Sequence, residues 1–148
     1  MNKTYSAKPS EVERKWYLID ASDNTLGRIS TTASKLLIGK GKAMFTSHID
    51  CGDYVIIINA DKLKVTGNKL TSKKYYHHSQ HPGGLRTRTL SEQMDRNSTK
   101  VIIHAVRGML PVNKLQAERL KRLKVYAGGE HQHQAQQPQL LSLKKGQI

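Results

Sequence analysis

Apolar positions in the first third of the chain change period, and the changes mark out a strand, a helix and a second strand. Trp16-Tyr17-Leu18-Ile19-Asp20 reads as a strand ending in the turn signal Ala21-Ser22-Asp23-Asn24. Leu26, Ile29, Ala33, Leu36 and Leu37 then recur at helical spacing, with Asp23, Asn24 or Thr25 as the N-cap and Gly39 as the stop. Tyr54-Val55-Ile56-Ile57-Ile58-Asn59 is a continuous β-branched run without alternation, the pattern of a parallel strand covered on both faces. Strand, helix and buried strand in that order predict a right-handed βαβ unit.

The pattern then weakens. Leu63-Lys64-Val65 is a short extended stretch, and Thr66-Gly67-Asn68-Lys69 a turn. Lys73 to His77 reads as an edge strand, where charge discourages sheet-to-sheet pairing. Two helical stretches follow: Thr89 to Arg96, opened by Thr/Ser caps and Glu92, and a segment capped by Ser98 that carries Val101, Ile102, Ala105 and Val106. Gly108-Met109-Leu110-Pro111 breaks the second. Asn113 starts another helix with Leu115, Leu120 and Leu123 inward and Arg119, Lys121, Arg122 and Lys124 outward. Val125 to Gly129 gives a last short extended piece, and His131 to Gln139 is polar.

At 148 residues and 16.7 kDa, one domain is expected, large enough for a core but lean in apolar residues (36%). No apolar run approaches the roughly 20 residues of a membrane span. Met1 to Lys15 is polar rather than leader-like, so a cytosolic location is expected. Cys51 is the single cysteine, which excludes an intramolecular disulfide and a multi-cysteine zinc site; a small buried or turn role suits it better than nucleophilic chemistry.

Charge changes the picture. The formal net charge is +14 and the pI is near 10.0. Between Asp61 and Glu92 there is no carboxylate, yet Lys62, Lys64, Lys69, Lys73, Lys74, Arg86 and Arg88 fall there. Interleaved with them are Tyr75-Tyr76-His77-His78 and the turn His81-Pro82-Gly83-Gly84. Like charges at this density repel unless a polyanion neutralises them, and a phosphate backbone is the commonest such partner. A solvated face or disordered arm would carry the same charge, but the interleaved aromatic rings and apolar neighbours favour contact with nucleic acid.

Catalytic signatures are absent. Gly39-Lys40-Gly41-Lys42 lacks the spacing of a nucleotide-binding phosphate loop, and the first strand is followed by no dinucleotide fingerprint. Asp20, Asp50 and Asp53 are explained as turn and cap residues. His77 and His78 would point to opposite faces of a strand and so share no metal; phosphate contact or stacking on a base is the better reading. The loop with Lys40 and Lys42 reads either as a phosphate cradle or as a helix stop with solvated lysines. A small α/β enzyme acting on a phosphorylated metabolite and a free-standing nucleic-acid regulator are the competing readings.

Several motifs together resemble one family. Trp16 to Ala21 with Thr25-Leu26-Gly27-Arg28, Gly52-Asp53-Tyr54-Val55 through Asn59-Ala60-Asp61-Lys62, and Val65 to Lys69 are similar to the bacterial large-subunit ribosomal protein L-thirteen. So are Tyr75 to His78 with Gly83-Gly84, Val106-Arg107-Gly108-Met109-Leu110-Pro111, Leu123 to Gly128, and Glu130-His131-x-His133 with Ala135 to Pro138. The likeness covers about Lys3 to Leu143.

It implies an α/β fold: a three-layer α/β/α domain, residues 1–143, around a small, mainly parallel four-stranded sheet, with a basic extended loop and a tail at 144–148 beyond the family's usual length. It implies a structural, non-enzymatic constituent of the large subunit that binds 23S rRNA early in assembly. Neighbouring large-subunit proteins would be its partners, with no cofactor, metal, membrane, small-molecule substrate or homo-oligomer. The residues expected to meet RNA are Lys40 and Lys42; Lys69, Lys73, Lys74, Tyr75, Tyr76, His77, His78, Arg86 and Arg88; and Arg107, Lys114, Arg119, Lys121, Arg122 and Lys124.

Overall fold

The structure, a computed structural model, describes residues 5–143; the expected tail lies outside them. Strand β1 (Trp16–Asp20) pairs in parallel with β2 (Tyr54–Ile58), Trp16 opposite Tyr54 and Asp20 opposite Ile58. Helix α1 (Leu26–Ile38) connects them, as its apolar period predicts. Its stop is Gly39, at φ 80°, whose N–H donates to the carbonyls of Lys35 and Leu36. An added Cβ there would stand 2.6 Å from the Cys51 carbonyl oxygen, so both the left-handed turn and the close approach require glycine.

Two further parallel strands complete the main sheet in the order β5-β2-β1-β6. β5 (Leu123–Val125) pairs with β2, and β6 (Gln139–Leu140) pairs with β1. The last of these starts at Gln139, the final residue of the stretch read as merely polar, and was not expected; two residues carry no measurable period. Ile19, Val55 and Ile57 on one face of the sheet join Leu26, Ile29, Ala33 and Leu37 of α1 in the core. Leu90, Val101, Ile102 and Val106 of α3 (Leu90–Met109) pack into the same core. On the other face, by alternation, lie Ile56, fully buried, and Trp16 stacked on Tyr54 at 4.2 Å. His133 packs on Trp16, and Tyr126 on His133, so the polar stretch after β5 covers this face.

Helix α3 is two segments meeting at Asn97, whose backbone leaves the helical region (φ −166°, ψ 94°). Thr89 opens the first with a full capping box: its hydroxyl accepts from the Glu92 N–H while the Glu92 carboxylate accepts from the Thr89 N–H. The second cap is Asn97, not Ser98 as expected. The Asn97 Oδ1 accepts from the Lys100 N–H at 3.1 Å, and Ser98 instead donates to the Asp61 carboxylate, tying α3 to the turn after β2.

The expected edge strand also differs. It forms as β3 (Lys74–His78) but joins no part of the main sheet; it pairs antiparallel with β4 (Leu85–Thr89) as a separate hairpin. A single turn of helix, α2 (Lys69–Ser72), leads into it.

Helix α4 (Leu115–Lys121) brings the main correction. Arg119 and Arg122, expected on the outward basic face, are buried at 1% and 7% exposure. Arg122 makes paired hydrogen bonds to the Asp50 carboxylate and one to the Leu37 carbonyl; Arg119 and Arg14 approach the same carboxylate at 3.7 and 3.5 Å. Helical spacing tells which residues share a face, but not that a carboxylate 72 positions earlier waits on the inner one. Burial by itself would raise the Asp50 pKa. The Arg122 hydrogen bond and the charges of Arg122 and Arg14 outweigh it and hold the carboxyl below its ordinary value. Lys121 stays exposed beside Glu118, and Lys124 is half-buried in β5.

Candidate nucleic-acid interface

The hairpin sets the geometry of the basic window. Register pairs Tyr75 with Arg88 and His77 with Arg86, so these four side chains share one face. Lys74, Tyr76, His78, Leu85 and Thr87 share the other. His77 and His78 therefore diverge, as the strand reading requires. The second face is open: Tyr76 is 66% exposed and Leu85 60%. The first face turns toward α3, where Tyr75 packs against the core and its ring lies 5.7 Å from that of His104. Burial pushes the Tyr75 hydroxyl pKa up, so it remains a neutral donor. The Lys73 ammonium sits 5.6 Å from the centre of the same ring.

Between hairpin and helix lies a groove of about 630 Å³. Arg86, Arg88 and His77 line it from the hairpin, and Gln93, Arg96, Asn97, Lys100 and His104 from α3. No carboxylate is among its lining residues. Arg96, Lys100 and His104 were not singled out in the sequence, although a spacing of four along a helical stretch was the available signal. They lie beyond Glu92, outside the carboxylate-free window, and only the chain reversal through β4 brings them opposite Arg86 and Arg88.

The remaining candidates are dispersed. Lys69 and Lys73 border a second depression of about 420 Å³ with Thr25, Gly27 and Met109. Lys40 is exposed just past the end of α1, whereas Lys42 is engaged within the protein: its ammonium donates to the Asp53 carboxylate at 2.6 Å and to the Glu13 carbonyl at 2.7 Å. Of the two readings of that loop, the helix stop describes Gly39, and Lys42 acts as a tether instead of a solvated cation. Arg107 and Lys114 are exposed at the end of α3 and just before α4. Among the described residues, the hairpin and its groove gather Arg86, Arg88, Arg96 and Lys100 with no salt bridge to any of them, held in place because β4 runs directly into the capping box of α3.

The chain matches the family described as "Ribosomal protein L13" over residues 14–132. It is 54% identical over 143 residues to "Large ribosomal subunit protein uL13" of Latilactobacillus sakei, covering 97% of both chains. To the proteins of the same name from Halorhodospira halophila and Geobacillus thermodenitrificans it is 53% and 54% identical, covering 95% and 97% of this chain and 99% of each relative.

Proposed function

Since the chain belongs to the ribosomal protein L13 family, we propose that it binds 23S rRNA through its basic surfaces, early in assembly of the large subunit. The family is a structural, non-enzymatic component of the large ribosomal subunit, which in bacteria places it in the cytoplasm. The observation that carries the RNA reading is the groove between hairpin and α3, cationic on both walls and free of carboxylates. Arg86, Arg88, Arg96 and Lys100 neutralise phosphates, and Lys69, Lys73 and Lys74 extend the surface along the hairpin's approach. Tyr76, His77 and His78 stack on or hydrogen-bond to bases and 2′-hydroxyls where the RNA exposes them. The packed core holds these groups in one arrangement, which lowers the ordering entropy lost on binding. Neighbouring large-subunit proteins are its other partners.

The test is the salt dependence of binding to 23S rRNA. With about five to eight phosphate contacts, log K falls against log salt with a slope of roughly −4 to −7. The Lys69, Lys73 and Lys74 triple alanine variant should flatten that slope by roughly 2 to 3 while melting like the wild type. A wild-type slope near zero overturns the reading; a triple variant that unfolds makes those lysines structural.

A further inference from the structure

We propose that the groove between the hairpin and α3 is a subsite for one unpaired RNA nucleotide, with its base inside and its flanking phosphates on the rim; this rests on the RNA-binding reading above. Three features carry it. The site is concave and walled on both sides, by β3–β4 and by α3, a shape that suits a single nucleotide turned out of its helix. Its volume, about 630 Å³, is of the size that holds a small ligand. Its chemistry is divided as a nucleotide is: the Tyr75 and His104 rings lie 5.7 Å apart and offer an aromatic wall. Arg86, Arg88, Arg96 and Lys100 supply charge with no opposing carboxylate in the lining. Rings stack on any base, while arginine and lysine meet the phosphates on either side. A site for paired backbone alone would need the cations and not a half-buried tyrosine ring beside an exposed imidazole.

Three RNAs of one stem sequence test this at low salt, by fluorescence anisotropy with the full chain: a flush duplex, the same duplex with one bulged adenosine, and the same bulge lacking its base. The bulged adenosine should bind about ten-fold tighter than the other two, the order expected for one stacked base. His104→Ala, at an exposed position, and Tyr75→Leu should each bring the affinity for the bulged adenosine down toward that of the base-less bulge, with melting curves reporting on the fold. Bulged 4-thiouridine in the wild-type complex should photocrosslink to β3 or to the 96–104 stretch of α3. Equal binding of all three RNAs with a normal salt slope, or crosslinks only elsewhere, overturns the subsite and leaves RNA binding standing. Failure to bind any of them at low salt overturns both.

Discussion

Replacing Asp50 by asparagine removes one charge and almost no volume, yet it should be among the most damaging conservative changes available to this fold. Asp50 is the carboxylate met by Arg14, Arg119 and Arg122, and the last two are almost fully buried. The Nε atoms of Arg119 and Arg122 already lack a hydrogen-bond partner, so little else can take up the charge. Breaking a fully buried pair costs about 3–5 kcal/mol. The Asp50 side chain is 15% exposed, and partial screening by water reduces the expected loss to about 2–4 kcal/mol. For a chain of this length that is a drop of roughly 5–15 °C in Tm.

Thermal and urea unfolding, followed by circular dichroism and by the emission of the single tryptophan, Trp16, reads it directly. The pH dependence gives a second check. Because the folded pKa of Asp50 is depressed, its contribution is complete above the unfolded carboxylate value of about 3.9 and declines as pH falls through the lower folded value. The gap between wild type and Asp50→Asn should therefore be constant from neutral pH to about 5 and narrow below about 4. A loss under about 0.5 kcal/mol, within the range of ordinary surface changes, or a gap that does not narrow in acid, would refute the assignment.

The contrast between inward and outward cations on α4 can be measured on its own: Arg119→Ala should lower stability by at least about 2 kcal/mol, and Lys121→Ala by no more than about 0.5, in the same urea assay. Gly52→Ala would put a Cβ 1.8 Å from the Leu37 carbonyl oxygen; soluble yield and cooperative melting should both be lost, and a normal melting curve would show that the end of α1 and the loop before β2 can move apart at little cost. Thr89→Ala removes one half of the capping box and should cost about 1 kcal/mol, or roughly 2–4 °C in Tm. If hydrogen exchange at the first turn of α3 then stays as slow as in the wild type, the cap is not what anchors that helix to β4.

What the chain declares locally is what repeats over several residues. The β1–α1–β2 unit, the Gly39 stop, the Thr89 cap and the carboxylate-free window were all legible, because strand and helix periods, cap chemistry and charge density are properties of neighbours in sequence. Family membership was legible too, from motifs in order along nearly the whole chain. Tertiary structure alone decided which surfaces these pieces make. Leu85 to Thr89 carries little signal as a strand until β3 lies beside it, and Gln139–Leu140 becomes β6 only because β1 has a free edge. Arg119 and Arg122 look like solvent-facing cations until Asp50 arrives from the loop before β2. Arg96, Lys100 and His104 acquire a role only when the hairpin folds back across α3. The physical reason is the same each time: periodicity fixes which side chains share a face, whereas burial of a charge or the closing of a groove depends on a partner far along the chain, brought near only by the packed core.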